Sequence, residues 1–161
     1  MTQPPPVSPA QAVEHGSSPF WFLGGQTRIL VPGTATNGAM SVLEFADRQN
    51  HATPLHIHDG EDEVWIVLEG QVSYFVGDAR FDLQAGQVAH GPRGVPHAYL
   101  VRSEKSLIAA TFAPAGIEEW FAGNGSPVAD LAEAPAAFDI GAIIASAEAF
   151  KLRVAGPPPS A

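Results

Sequence analysis

Pro54-Leu55-His56-Ile57-His58, then Asp59-Gly60-Glu61-Asp62, then Glu63-Val64-Trp65-Ile66-Val67-Leu68, is the stretch whose reading decides the fold. Both flanking segments are short and apolar, as strands are, and the four residues between them favour a turn. On a strand, residues i and i+2 share a face, so His56 and His58 project into one space while Ile57 points away. Glu63 opens the following strand and can return a carboxylate toward the same space. These are polar residues where a buried strand face would otherwise be apolar.

The same rhythm extends in both directions. From Pro19 to about Ala113, short apolar runs alternate with Gly, Pro, Asn and Asp. Strands are predicted at Gln26–Val31, Met40–Asp47, Pro54–His58, Glu63–Leu68, Gln71–Val76, Ala79–Leu83, Gln87–His90, His97–Arg102 and Leu107–Ala113. Gly77-Asp78 suits a tight hairpin, because glycine supplies positive φ at little cost. Many short strands without long intervening helices predict an all-β sandwich or barrel. After Pro114 the pattern changes. Gly116–Ala122 predicts one or two helical turns. Asp139–Phe150 places Ile140, Ile143, Ile144 and Ala147 at i, i+3, i+4 and i+7, an amphipathic helix that caps the barrel or meets a second subunit. The expected division is a proline-rich N-terminal arm at 1–18, a barrel at 19–125, and a C-terminal helix with a Pro-rich tail at 126–161. No internal repeat is visible, so one barrel is expected.

Composition sets the outer limits. The chain has 161 residues, 45% of them hydrophobic and 16% charged, which suits one globular domain with short appendages. Eight Lys and Arg against 17 Asp and Glu give a net charge of −9, a balance that repels phosphate and argues against nucleic acid or an anionic membrane as partner. The absence of cysteine excludes thiolate nucleophiles, zinc fingers, iron–sulfur clusters and disulfide scaffolds. No signal-peptide pattern or membrane-length apolar run is present, so a cytoplasmic setting is expected.

Downstream, Gly94-Val95-Pro96-His97 delivers a third histidine at another strand start. Three imidazoles and a carboxylate are a mixed nitrogen and oxygen donor set for a divalent first-row transition metal. A lone histidine is more often an ordinary core or surface residue than a ligand, and local spacing does not show that His97 reaches the others. The residues alone leave both readings open. His15 is expected in solvent, and His51 and His90 have no argued role. Asp59, Glu61 and Asp62 are expected as a solvated turn without the spacing of an EF-hand loop. Gly24-Gly25 lacks a following P-loop lysine, and no G-x-S-x-G elbow is present.

His56-Ile57-His58, four residues, Glu63, six residues and Gly70 resembles the first cupin motif. Gly86, five residues, Pro92-Arg93-Gly94, two residues and His97 resembles the second, with 15 residues between the motifs. The Glu-Asp-Glu before the Trp65 strand, Pro114-Ala-Gly-Ile-Glu118 and the terminal helix ending in Gly-Pro-Pro resemble the small quercetin 2,3-dioxygenase-like monocupins. The resemblance implies a jelly-roll-like β-barrel with a short C-terminal helical appendage. It places one metal per chain (Ni, Fe, Mn, Co, Cu or Zn) on His56, His58, Glu63 and His97. Asn50 stands where the first motif often begins with Gly, and Val101 where the second often ends in Asn.

The implied activity is a dioxygenase that opens a flavonol-like or other enolisable aromatic substrate with O2, with Glu63 as the catalytic base. Alternatives within the same family are a non-oxidative metal-dependent isomerase, lyase or polyketide cyclase, or a small-molecule-binding cupin. If Glu63 faces inward, so do Trp65 and Val67; if His97 does, so do Tyr99 and Val101. Phe75 is a further candidate for the pocket wall. An aromatic, mostly apolar wall suits a small aromatic or hydrophobic substrate. Cupin barrels also imply a homodimer, since strand edges need protection.

Overall fold

A computed structural model of the chain describes residues 16–128 and 137–160. The expected arm at 1–18, apart from its last three residues, lies outside the described residues, as does His15. The described elements run β1 (Phe20–Phe22), β2 (Gly25–Val31), β3 (Ser41–Arg48), β4 (Leu55–His58), β5 (Asp62–Glu69) and β6 (Gln71–Val76). There follow β7 (Ala79–Gln84), β8 (Val88–Gly91), β9 (His97–Val101), β10 (Lys105–Ala113), α1 (Ile117–Asn124), β11 (Ser126–Pro127), α2 (Ile140–Ala147) and β12 (Leu152–Gly156). The described residues form an all-β fold of two sheets with two short helices.

Two antiparallel sheets face one another. One has the order β11-β1-β2-β3-β10-β5-β8 and the other β12-β4-β9-β6-β7. Alternation sets which side chains enter the space between them. On β10, Ser106, Ile108, Ala110 and Phe112 are buried while the residues between them are not. On β3 the buried set is Ser41, Leu43, Phe45 and Asp47. β10 pairs with both β3 and β5, so it forms the spine of the larger sheet. Gly77-Asp78 closes the β6–β7 hairpin with Val76 opposite Ala79 and Gly77 at φ 56°, as its turn chemistry demands.

β4 and β5 belong to different sheets, so the acidic turn between them crosses from one layer to the other. That crossing positions the site. β4 is flanked by β9, with His56 opposite His97, and by β12, with Val154 opposite His56 and Leu152 opposite His58. β1, β11 and β12 are strands that hydropathy alternation does not single out. Each is short, and β12 stands between a helix and a proline run.

α2 is capped by Asp139, whose side chain accepts from the Ala142 amide at 2.9 Å. Its predicted stripe is split: Ile143 and Ala147 are buried, whereas Ile140 and Ile144 are half exposed. α1 packs beside it, with Trp120 Nε1 donating to Ser146 Oγ at 3.0 Å. Trp120 and Phe121 stack edge-on against Phe22 of β1, and Phe121 meets Phe45 of β3. Together α1 and α2 close one side of the interior with aromatic and aliphatic side chains. Among the described residues, no helix is long and apolar enough to cross a membrane.

Candidate metal centre

His56 and His58 enter the interior from β4, His97 from β9 and Glu63 from β5. Three donors therefore come from one sheet and the fourth from the other. One ligand atom from each of the four lies within 4.8 Å of the rest. The His56 and His97 ring centres are 4.5 Å apart, His56 and His58 5.0 Å, and His58 and His97 5.3 Å and nearly parallel. His58, Glu63 and His97 are buried, and His56 is partly exposed.

The outer nitrogen of each imidazole is already engaged. His56 Nδ1 lies 2.8 Å from the Pro54 carbonyl, and His97 Nδ1 lies 2.9 Å from the Val95 carbonyl. His58 Nδ1 meets Glu61 Oε1 at 2.7 Å. A carbonyl or carboxylate partner selects the tautomer with the proton on Nδ1, which leaves Nε2 as a lone-pair donor. On Glu63, Trp65 Nε1 donates to Oε1 at 2.6 Å, so Oε2 is left over. Glu63 Oε2 lies 3.2 Å from His97 Nε2 and 3.5 Å from His58 Nε2. Glu63 Oε2 and His97 Nε2 are both buried without a hydrogen-bond partner. Buried polar atoms are rarely orphaned, and two orphans facing one another fit a divalent transition metal.

The electrostatics agree. Burial lowers the His56 imidazole, the neighbouring His58 and His97 rings lower it further, and it falls to about 3 despite the Glu63 carboxylate. Neutral imidazole is the ligand form. For Glu63, burial pushes the carboxyl up, but the hydrogen bond with His97 and the nearby His58 and His56 rings outweigh it, and its pKa lies below the ordinary glutamate value.

Glu61 corrects the expectation of a solvated turn. It is 6% exposed and holds His58. The two aspartates of the same turn are fastened by arginines: Arg153 Nη2 lies 2.8 Å from Asp59 Oδ1, and Arg93 Nη2 lies 2.7 Å from Asp62 Oδ2. The hydrogen bonds from Arg93 hold the Asp62 carboxyl at about 2. Spacing alone does not reveal Glu61, because its inward position depends on the chain changing sheets. Glu61→Ala is expected to weaken metal affinity by about 10–100-fold, the usual cost of losing a ligand's orienting partner. Chelator competition on the metal-loaded protein measures it.

The donors open onto a cavity of about 400 Å³, within the range of small-molecule sites. Trp65 and Tyr99 line it; Val67, Val101 and Phe75 do not. Val67 and Val101 face inward as alternation requires, but they are fully buried in the packed interior. Phase excludes Phe75. Tyr74 lies opposite Tyr99 and is fully buried, so β6 turns Val72 and Tyr74 inward, and Phe75 lies under the Arg80 guanidinium. His90 is exposed on β8, away from the four donors. His51 lines the cavity, together with Asp47, which the sequence reading left without a role.

The two sheets, the crossing turn and the clustered donors define a cupin barrel, and residues 45–112 match the cupin domain family. The chain has the cupin fold, and its sequence is similar to a quercetin dioxygenase. It is 25% identical over 121 residues, 74% of its length, to quercetin 2,3-dioxygenase of Bacillus subtilis (strain 168). That match spans 36% of the relative, about a third of its length. Among solved structures, an RmlC-like cupin from Shewanella frigidimarina superposes with a TM-score of 0.56 at 20% identity, covering 66% of this chain and 96% of that one. KdgF from a Halomonas species gives 0.55 at 17% identity, covering 60% and 85%. At such identities these two structures speak to the fold alone.

Proposed function

We propose that the chain is a metal-dependent dioxygenase of the cupin type that opens a flavonol-like or other enolisable aromatic substrate with O2. The observation that carries this reading is the pair of orphaned, buried donor atoms on Glu63 and His97, set in an aromatic cavity. The distant likeness to quercetin 2,3-dioxygenase supports it.

His56, His58, Glu63 and His97 would hold one divalent metal, which supplies Lewis acidity toward an enolic hydroxyl and redox chemistry with O2. Glu63 has a second task. With Oε1 fixed by Trp65, its Oε2 is the acceptor placed to take the hydroxyl proton. Glu61 keeps His58 from rotating. Phe22, Phe45, Trp120 and Phe121 form a wall that accommodates a flat ring and excludes water, while Ile140 and Ile144 of α2 border the same space.

The test is an oxygen electrode. Metal-loaded protein is expected to consume O2 in proportion to flavonol lost. Turnover without oxygen uptake would move the chain to the isomerase, lyase or cyclase class. Tight binding without turnover would make it a binding cupin.

A further inference from the structure

We propose that Asp47 is a second polar anchor in this cavity, accepting a hydrogen bond from a phenolic hydroxyl on the end of the substrate remote from His56, His58 and His97. The inference rests on the reading of the cavity as a site for a flavonol-like substrate, and it adds a determinant of which substrate is taken.

Ser41, Leu43, Phe45 and Asp47 occupy successive inward positions on β3. Asp47 therefore stands where the alternation would place another apolar side chain, and it is only 4% exposed. A carboxylate buried among aromatic rings is costly unless donors surround it. Among the described residues only part of that need is met. Tyr99 Oη donates to Asp47 Oδ2 at 2.7 Å. Asp47 Oδ1 lies 3.5 Å from His51 Nε2, beyond a well-formed hydrogen bond. An ionised carboxylate offers about four acceptor positions, so capacity remains, and Asp47 borders the cavity. Burial pushes its carboxyl up, against the influence of His51 and Tyr99, which agrees with an incomplete set of donors.

The neighbouring backbone is shaped around this group. A Cβ at Gly25 would lie 2.0 Å from Asp47 Oδ1, so only glycine leaves the carboxylate its place. Its position relative to the metal donors follows from β9. Tyr99 and His97 are two residues apart, and residues so spaced share a face about 7 Å apart along a strand. Asp47 lies past Tyr99, at the tip of its hydroxyl. The cavity thus has two separate polar points with aromatic surface around them. This pattern suits a flat molecule with an enolic group at one end and a hydroxyl donor at the other.

Two probes separate the ends. Quercetin carries phenolic hydroxyls away from its enolic group, whereas 3-hydroxyflavone has the enolic hydroxyl alone. On metal-loaded wild-type protein, quenching of tryptophan fluorescence is expected to show quercetin binding about tenfold or more tighter, the effect of a hydrogen bond to a charged group. Asp47→Asn keeps the shape and an acceptor for Tyr99, and it is expected to shrink the gap to about threefold or less, with 3-hydroxyflavone affinity and metal content unchanged. Asp47→Ala is expected to do the same if it folds. Equal weakening of both ligands, or an unchanged gap, would overturn the anchor and leave the dioxygenase reading standing. Wild-type protein that binds neither flavonol would overturn both. Selective binding that depends on Asp47, without oxygen uptake, would support the anchor and remove the dioxygenase.

Discussion

Glu63→Gln is expected to lower turnover by about 10²–10⁴-fold, the contribution of a positioned proton acceptor, while metal stays bound at reduced affinity. The size of the effect follows from how the side chain is held. Trp65 Nε1 donates to one oxygen of Glu63 at 2.6 Å, and a buried indole N–H favours an acceptor. In the glutamine variant that preference sets the amide, with its oxygen toward Trp65 and its nitrogen toward the histidines. The atom replacing the proton acceptor is then itself a donor. Three imidazoles remain to hold the ion. Turnover per bound metal, with metal quantified in the same sample, is the measurement; wild-type turnover would remove Glu63 from the role of base.

His97→Ala is expected to abolish stable metal binding, with affinity falling by more than the roughly 100-fold that marks the upper end for an orienting partner. His97 is fully buried, its Nε2 faces Glu63, and its Nδ1 is fixed on the Val95 carbonyl. Its truncation removes a donor that no neighbouring side chain replaces among the described residues. Leu43, Phe45, Ile108 and Phe112 pack the interior around β10 and β3 without depending on this imidazole, so a cooperative unfolding transition should persist. Metal content per chain after gel filtration, read beside thermal unfolding by circular dichroism, separates loss of the site from loss of the fold. Full metal content in the variant would place the ion elsewhere.

Legibility from sequence depended on whether a relation was local. The common face of His56 and His58 is a property of two-residue spacing, and the helical periodicity from Ile140 to Ala147 is another; both are visible in the structure. Asn50, standing where glycine is usual, adopts φ 67°, a left-handed conformation that asparagine tolerates better than most residues. Relations that depend on the two layers were hidden. Glu63 meets the histidines, and Glu61 turns inward, because the chain between β4 and β5 changes sheets. The same limit applies to pocket lining. Alternation turns Val67 and Val101 inward, but depth along the barrel decides whether an inward residue meets the cavity or the packed core. Phe75 required the phase of β6, which Tyr74 settles by lying opposite Tyr99.

β12 has a further consequence, for the order in which the molecule assembles. The histidine strand β4 is held by β9 through one register pair but by β12 through four, and Val154 lies opposite His56 across 98 positions of chain. Contacts so distant in sequence require closure of a large loop before they return any stabilisation, and they belong to slowly folding topologies. The β6–β7 hairpin has no such requirement. The wall carrying His56 and His58 is thus tied to a segment far along the chain, and its ordering carries a larger loop-closure cost than that of the β6–β7 hairpin.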